Sequence, residues 1–394
     1  MATLTTGKIA EVLFENAIET FESQDMLLDK VDFFQPDAGD MQNAGNYIWR
    51  TVQQHAPVIS GWDMAGSEQG IIEETYPAVL NQDIASAMAV QAGIFYRSTA
   101  TSGYNFISEA QAIMNERQLV KDTRCFLLND RDTLTFGSDL AARQTLQGRP
   151  ESTWNSGQIG QNVAEFDVYT GSFLPNIAGG ASPNTTVTGN QSFAPSAGTV
   201  TAATGVVTNI DYRTADIAVA ASASYNVGDK VRFQNPGAVS VDAVGLDDKT
   251  DTGQPMTFTI VAKPDGTTIS VYPKPIAADD SALSDLEKAY ANINTTILNA
   301  ALVIRLNTDT SVKTNLFWDR NAVEVIGGSI PANLFKEFAG KKVINATMKN
   351  GQKMYMVYDG DIKTMKFTFR LFTWNGITIR NPSAVGVAVR GTAT

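Results

Sequence analysis

This sequence predicts a mixed α+β fold in which a small antiparallel β-barrel or sandwich is inserted into a partly helical core, and three observations carry that prediction. The first third holds amphipathic stretches with helical spacing. Composition then changes abruptly over residues 178–205, where Gly, Ala, Ser, Thr and Asn dominate and charge almost vanishes. From 216 to 275 short β-type runs recur between turns, and alternating strands close the chain. A length of 394 residues suggests two or three domains, and 43% hydrophobic residues supply their cores.

Residues 6–21 read as a helix with Ile9, Val12, Leu13 and Ala17 on one stripe. Glu11, Glu15 and Glu19 recur every fourth residue and share another face. Helical spacing continues over 27–34 until Pro36 stops it. Residues 47–80 read as extended, with 48–52 and 70–76 as the two arms of a long hairpin around Gly61 and Gly66. Helices are predicted over 83–95 and 105–119, the second striped by Ile107, Ala110, Ile113 and Met114. Four β runs follow, at 217–219, 230–233, 256–262 and 268–272, within a separate inserted domain placed at 187–276. Ser284 and Glu287 form a capping box that should open a helix reaching about 302. At the end Met365, Phe367, Phe369 and Leu371 alternate with polar residues; a turn at Asn375-Gly376 and a last strand with Val385, Val387 and Val389 follow.

Chemistry is sparse. The formal charge of -11 and a pI near 4.7 leave no basic stripe for phosphates, which disfavours sequence-specific nucleic-acid binding. Cys125 is the single cysteine and excludes an intrachain disulfide or a multi-cysteine metal site, as suits a reducing cytoplasm. His55, the single histidine, has no neighbouring nucleophile and reads as a polar residue on an extended arm. The acidic stretch 247–253 lacks the ligand spacing of a calcium loop and reads as a solvated loop. Gly340-Lys341-Lys342 lacks the glycine of a phosphate loop. No catalytic residue, metal site or cofactor is predicted. No signal-length apolar leader opens the chain, and residues 84–96 are too short and interrupted to span a bilayer, so no membrane partner is expected.

A series of short blocks occurs in one order: Met41-Gln42 with Ile48-Trp49, Gly61-Trp62-Asp63, Ala289-Tyr290-Ala291-Asn292, Asn315-Leu316-Phe317-Trp318 and Ile330-Pro331-Ala332-Asn333. Gly148-Arg149-Pro150-Glu151, Val227-Gly228-Asp229-Lys230 and Pro273-Lys274-Pro275 fall between them. With these blocks the chain resembles the major capsid (coat) proteins of the short-tailed Salmonella-type double-stranded-DNA bacteriophages. The resemblance implies a Hong Kong 97-type capsid fold: an N-terminal arm at 1–34, an extended E-loop at 47–76, peripheral and axial core domains at 77–186 and 277–394, and the inserted barrel at 187–276. It implies a structural subunit, not an enzyme, that assembles with itself into pentamers and hexamers of an icosahedral head. The partners implied are a scaffolding protein, a portal protein at one vertex, and double-stranded DNA enclosed without sequence-specific binding. Assembly in the bacterial host cytoplasm and residence in the virion follow from the same resemblance.

Two departures stand out. Pro77 to Leu80 runs directly into Asn81-Gln82-Asp83, so either the spine helix is short or a segment is absent from this sequence. The stretch 197–209, which matches a charged bridging loop of the family, is uncharged, leaving Asp211 and Arg213 as its nearest charges. Thin hairpins have little of their own to bury against, so Ile48, Trp49, Trp62 and Ile71 are candidate intersubunit contacts; packing on their own domain is the other possibility. Glu11, Glu15 and Glu19 are either a scaffolding-protein contact or a solvated face. Asp211 and Arg213 are candidate contacts of the inserted domain. The rival function is a phage surface or tail component with a carbohydrate-binding β domain.

Overall fold

The fold is built chiefly from strands that pair far outside their sequence neighbourhood. The computed structural model describes residues 14–15, 18–19, 26–34, 76–100, 102–121, 123–142, 158–179, 185–195, 199–201, 207–209, 213–307, 312–328, 342–349, 351–361, 366–372 and 375–391. Contacts divide the chain into one unit of Met1–Ala87 with Arg320–Arg380 and another of Met88–Asp319 with Asn381–Thr394. Among the described residues, no helix is long and apolar enough to cross a membrane.

Helix α1 (Tyr76–Gln91) has 16 residues, about 24 Å at 1.5 Å per residue. Leu80, Ile84 and Met88, with Asn81, Ala85 and Ala89 beside them, make a buried stripe at fourfold spacing. The helix thus starts within the stretch expected to be extended and ends before Ile94, which begins a strand instead of finishing a helix. Gly93 allows that break. Its added Cβ would meet the carbonyl O of Pro382 at 2.6 Å, and its N–H donates to that same oxygen.

In the first unit, the strand Asp32–Phe34 runs parallel to Val323–Gly327, which pairs antiparallel with Asn375–Ile379. Residues 27–34, expected to be helical, hold one 3-10 turn at Leu28–Lys30 and this strand. Asn375 and Gly376 open the third strand, opposite Gly327 and Ile326, and do not form a turn. Arg380 ties the sheet together: Nε donates to Glu324 at 2.9 Å, a second guanidinium nitrogen binds the same carboxylate, and Nη1 reaches Asp32 at 2.8 Å. Burial pushes the Glu324 carboxyl above its usual range, an effect Arg380 partly offsets. A three-stranded ribbon of Lys342–Thr347, Lys353–Asp361 and Lys366–Phe372 completes the strands of this unit.

The second unit contains a six-stranded sheet in the order Ile94–Ser98, Val385–Arg390, Asn315–Asp319, Arg124–Leu128, Phe166–Thr170, Gln158–Val163. Helices α2 (Gly103–Glu116) and α3 (Asp130–Ala142) belong to the same unit. Central strands here are buried at successive positions, as expected of a sheet covered on both faces. Phe126 stacks on Phe317 at 5.8 Å, and Phe166 meets both edge-on. Gly386 makes room for this cluster: a Cβ there would sit 1.9 Å from the Phe317 ring.

The seven-stranded sheet is antiparallel and runs Ala215–Ala218, Thr268–Tyr272, Phe258–Asp265, Lys230–Asn235, Leu302–Arg305, Thr185–Thr186, with Val239–Ser240 paired to the end of Lys230–Asn235. A bridge from Val187 to Val219 joins the two ends, with Thr188 N–H donating to Ala218 O and Ala220 N–H to Thr186 O. This closes the sheet into a barrel, one of the two antiparallel arrangements that the short β runs left open. Tyr225, Phe233, Phe258, Ile260, Val271 and Val303 fill it. The helix α4 (Asp285–Lys288) spans four residues instead of reaching 302. Its capping box is present, with Ser284 N–H donating to Glu287 Oε2 at 2.8 Å. Leu302 onward is instead a barrel strand, because Val303 and Arg305 are needed in the sheet opposite Phe233 and Val231.

Candidate functional site

The candidate contact residues, the exposed surface and the buried charges are the features of this fold that bear on function. Glu15 and Glu19 lie on helical turns and are exposed, one helical turn apart. Glu11 lies outside the described residues, as do Ile48, Trp49, Trp62 and Ile71, His55 and Asp211. Arg213 is half-buried just before the first barrel strand, and its carbonyl accepts from Lys274 N–H at 2.8 Å.

The acidic loop at 247–253 uses its carboxylates internally. Asp248 accepts from Thr250 N–H and Oγ1–H and from Gln118 Nε2, which holds its carboxyl below the usual range; the Gln118 bond contributes most. Asp251 accepts from Gly253 N–H and Asn294 Nδ2. Among the described residues no three His, Cys, Asp or Glu side chains gather as metal ligands. Cys125 is buried in the strand Arg124–Leu128 of the six-stranded sheet, in register with Trp318.

The barrel's exposed surface is where large apolar side chains meet water. Leu286 is 77% exposed and Tyr290 38%, four residues apart around α4, and Val227 and Val239 are also exposed. On the same unit outside the barrel, Val120 and Leu134 are exposed.

The buried charges were not legible in advance. Asp229 and Arg305 form an ion pair at 2.8 Å with both side chains nearly solvent-free. Asn307 Nδ2 donates to the same carboxylate oxygen and to Ala178 O, while its Oδ1 accepts from Lys230 N–H. Satisfying each partner matters because breaking a buried pair costs more than the pair contributes. The block Val227-Gly228-Asp229-Lys230 was the one sequence signal here. It is a tight turn, with Gly228 at φ +94° in the left-handed region and Asp229 Oδ2 accepting from Asn226 N–H.

Comparison with known proteins bears on the whole chain. The family model described as "P22 coat protein - gene protein 5" matches residues 1–80 and 78–391. The two matched stretches meet at 78–80, inside α1, where the sequence departs from the resembled family. The chain is similar to the capsid structure of the Cyanophage P-SCSP1u at 9% identity and a TM-score of 0.39, over 94% of this chain and 89% of that one. It is also similar to a structure of Mycobacterium phage Che8 at 8% identity and a TM-score of 0.34, over 90% of this chain and 80% of that one.

Proposed function

Because the chain belongs to the P22 coat protein family, we propose that it builds an icosahedral bacteriophage head from pentamers and hexamers and encloses double-stranded DNA. The chain is a capsid shell subunit of the Hong Kong 97-type fold, a structural protein whose place is the virion and whose partner is itself. The observation that carries the finer reading is the span of the family match, which takes in the arm, the E-loop stretch, the barrel and the closing strands together. A surface or tail component would need only the barrel. Closed symmetry lets one interface serve many times, and thin extended segments are stabilised by lying across neighbours.

In this reading residues 1–34 are the arm, 47–76 the E-loop, 77–186 and 277–394 the core domains, and 187–276 the inserted domain. Ile48, Trp49, Trp62 and Ile71 anchor the E-loop on an adjacent subunit. The acidic face of Glu11, Glu15 and Glu19 docks a basic segment of a scaffolding protein, supported by the exposure of Glu15 and Glu19. Asp211 and Arg213 contact a neighbouring capsomer, a portal protein occupies one vertex, and assembly takes place in the host cytoplasm. With a net charge of -11, DNA is held by enclosure and not by phosphate-specific contacts.

The test is electron microscopy of the full chain, alone and co-expressed with the scaffolding protein. Closed particles with five- and six-fold clusters are expected; small discrete oligomers under both conditions and across salt would overturn the reading. Glu15→Lys should reduce scaffold-assisted assembly and change its salt dependence. Unaltered assembly in that variant removes the scaffold contact while leaving the shell reading intact.

A further inference from the structure

Two buried cations from different elements converge on the carbonyls at the end of α1 and in the two residues that follow it, Val90, Ala92 and Gly93. Lys230, the first residue of a central barrel strand, places Nζ 3.1 Å from Val90 O, 3.3 Å from Ala92 O and 2.5 Å from Thr259 Oγ1. Arg117, which ends α2, sends Nη1 to Gly93 O at 3.1 Å. Lys230 is 1% exposed and Arg117 3%. Neither has a carboxylate within ion-pair distance among the described residues.

A helix leaves its last carbonyls without intrahelical partners and carries partial negative charge there, so cations at that end are favourable. Arg117 comes from the end of α2, outside the barrel. Lys230 comes from the inserted barrel, and its own backbone is fixed at the barrel's base: its N–H donates to Asn307 Oδ1 and its carbonyl accepts from Leu306 N–H. Asn307 in turn binds Asp229 and the carbonyl of Ala178, so the chain entering the barrel and the chain leaving it are tied at one point.

We propose that Lys230 is the positioning residue that pins the inserted barrel to the C-terminal end of α1 and so sets the direction in which the barrel projects from the subunit. The pin belongs to the single subunit and does not depend on how the shell closes. Three contacts suit either protonation state. An ammonium donates to all three oxygens; a neutral amine donates to the two carbonyls and accepts from the Thr259 hydroxyl.

Burial pushes the amine down to about 7, and it pushes the Arg117 guanidinium down to about 10, which Glu116 partly offsets. The charged groups around the pin are Asp229 in the turn just before its strand, held by Arg305 from the next strand, and Arg117 on the adjoining carbonyl. From the strand Phe258–Asp265 the facing group is the uncharged Thr259. When the joint opens, the amine regains the ordinary lysine value of about 10.4 and takes up a proton. Opening is therefore increasingly favoured as pH falls from about 10 to about 7, and this group adds no further dependence below about 7.

Hydrogen exchange of the full chain, corrected for intrinsic exchange and compared with Lys230→Met between pH 7 and 9, tests the pin. Opening of residues 90–94 and 228–231 should fall by up to tenfold per pH unit in the natural chain. Lys230→Met should lose that slope while the barrel strand Phe258–Asp265 stays protected. Unchanged opening of residues 90–94 and 228–231 in Lys230→Met, or loss of protection spread evenly through the barrel, would overturn the proposal. Should Lys230→Met fail to fold, hydrogen exchange of the natural chain decides: residues 90–94 and 228–231 opening together supports the pin, and one stretch opening while the other stays protected sinks it.

Discussion

The barrel and the six-stranded sheet lie in one unit but are assembled in opposite ways. Each strand on the barrel path lies between Thr185 and Arg305, so every barrel pairing, local or distant, is made within that one stretch of chain. The six-stranded sheet draws its members from Ile94 to Arg390, so its centre forms only when the two ends of the chain meet. Loop-closure entropy makes the second arrangement slower and more dependent on the rest of the chain. The lesson is that the inserted region carries its own core, while the region around it is completed by sequence on both sides of the insertion.

That contrast can be broken at the aromatic cluster first. Phe126→Ala removes a fully buried ring stacked on Phe317 and should cost about 3–5 kcal/mol. Urea unfolding followed by hydrogen exchange should show the six-stranded sheet lost while barrel amides keep their protection; simultaneous loss would mean the two regions unfold as one. Asp229→Ala leaves Arg305 buried without its carboxylate and should cost about 3 kcal/mol, read as a lower unfolding midpoint centred on the barrel. Gly103→Ala sharpens the comparison on the core side. Its Cβ would lie 2.6 Å from Phe136 Cα, so α2 and α3 must separate, at a cost of about 1–3 kcal/mol. Smallest is Leu286→Ser on the exposed turn of α4, which should move the subunit's stability by no more than about 0.5 kcal/mol in thermal unfolding.

The barrel was legible because period-two alternation needs only local information. The run 268–272 is a strand with those bounds, and 230–233 and 256–262 fall on strands of slightly different extent. Where that logic failed, long-range burial had overruled it. Ile94 to Tyr96 carries helix-compatible spacing, yet pairs in parallel with Gly386 to Ala388. Residues 289–302 follow a sound capping box, yet Leu302 to Arg305 is taken by the barrel. Of the candidate contact residues, exposure of Glu15 and Glu19 followed from their fourfold spacing away from the apolar stripe. Lys230 and Asp229 gave no such sign, since a charged residue at the edge of a β run reads as solvated until the fold shows what covers it.

By itself the sequence determined the class: mixed α+β, an antiparallel β insertion, no catalytic constellation, and ordered blocks sufficient to identify the coat protein family. Those features rest on composition, periodicity and motif order, which are properties of neighbours along the chain. Tertiary structure alone decided that α1 ends at Gln91, that the barrel closes through Val187 and Val219, and that Lys230 and Arg117 meet at the end of one helix. Each of these joins residues tens to hundreds of positions apart, where burial and unmatched carbonyls, rather than local propensity, choose the partner.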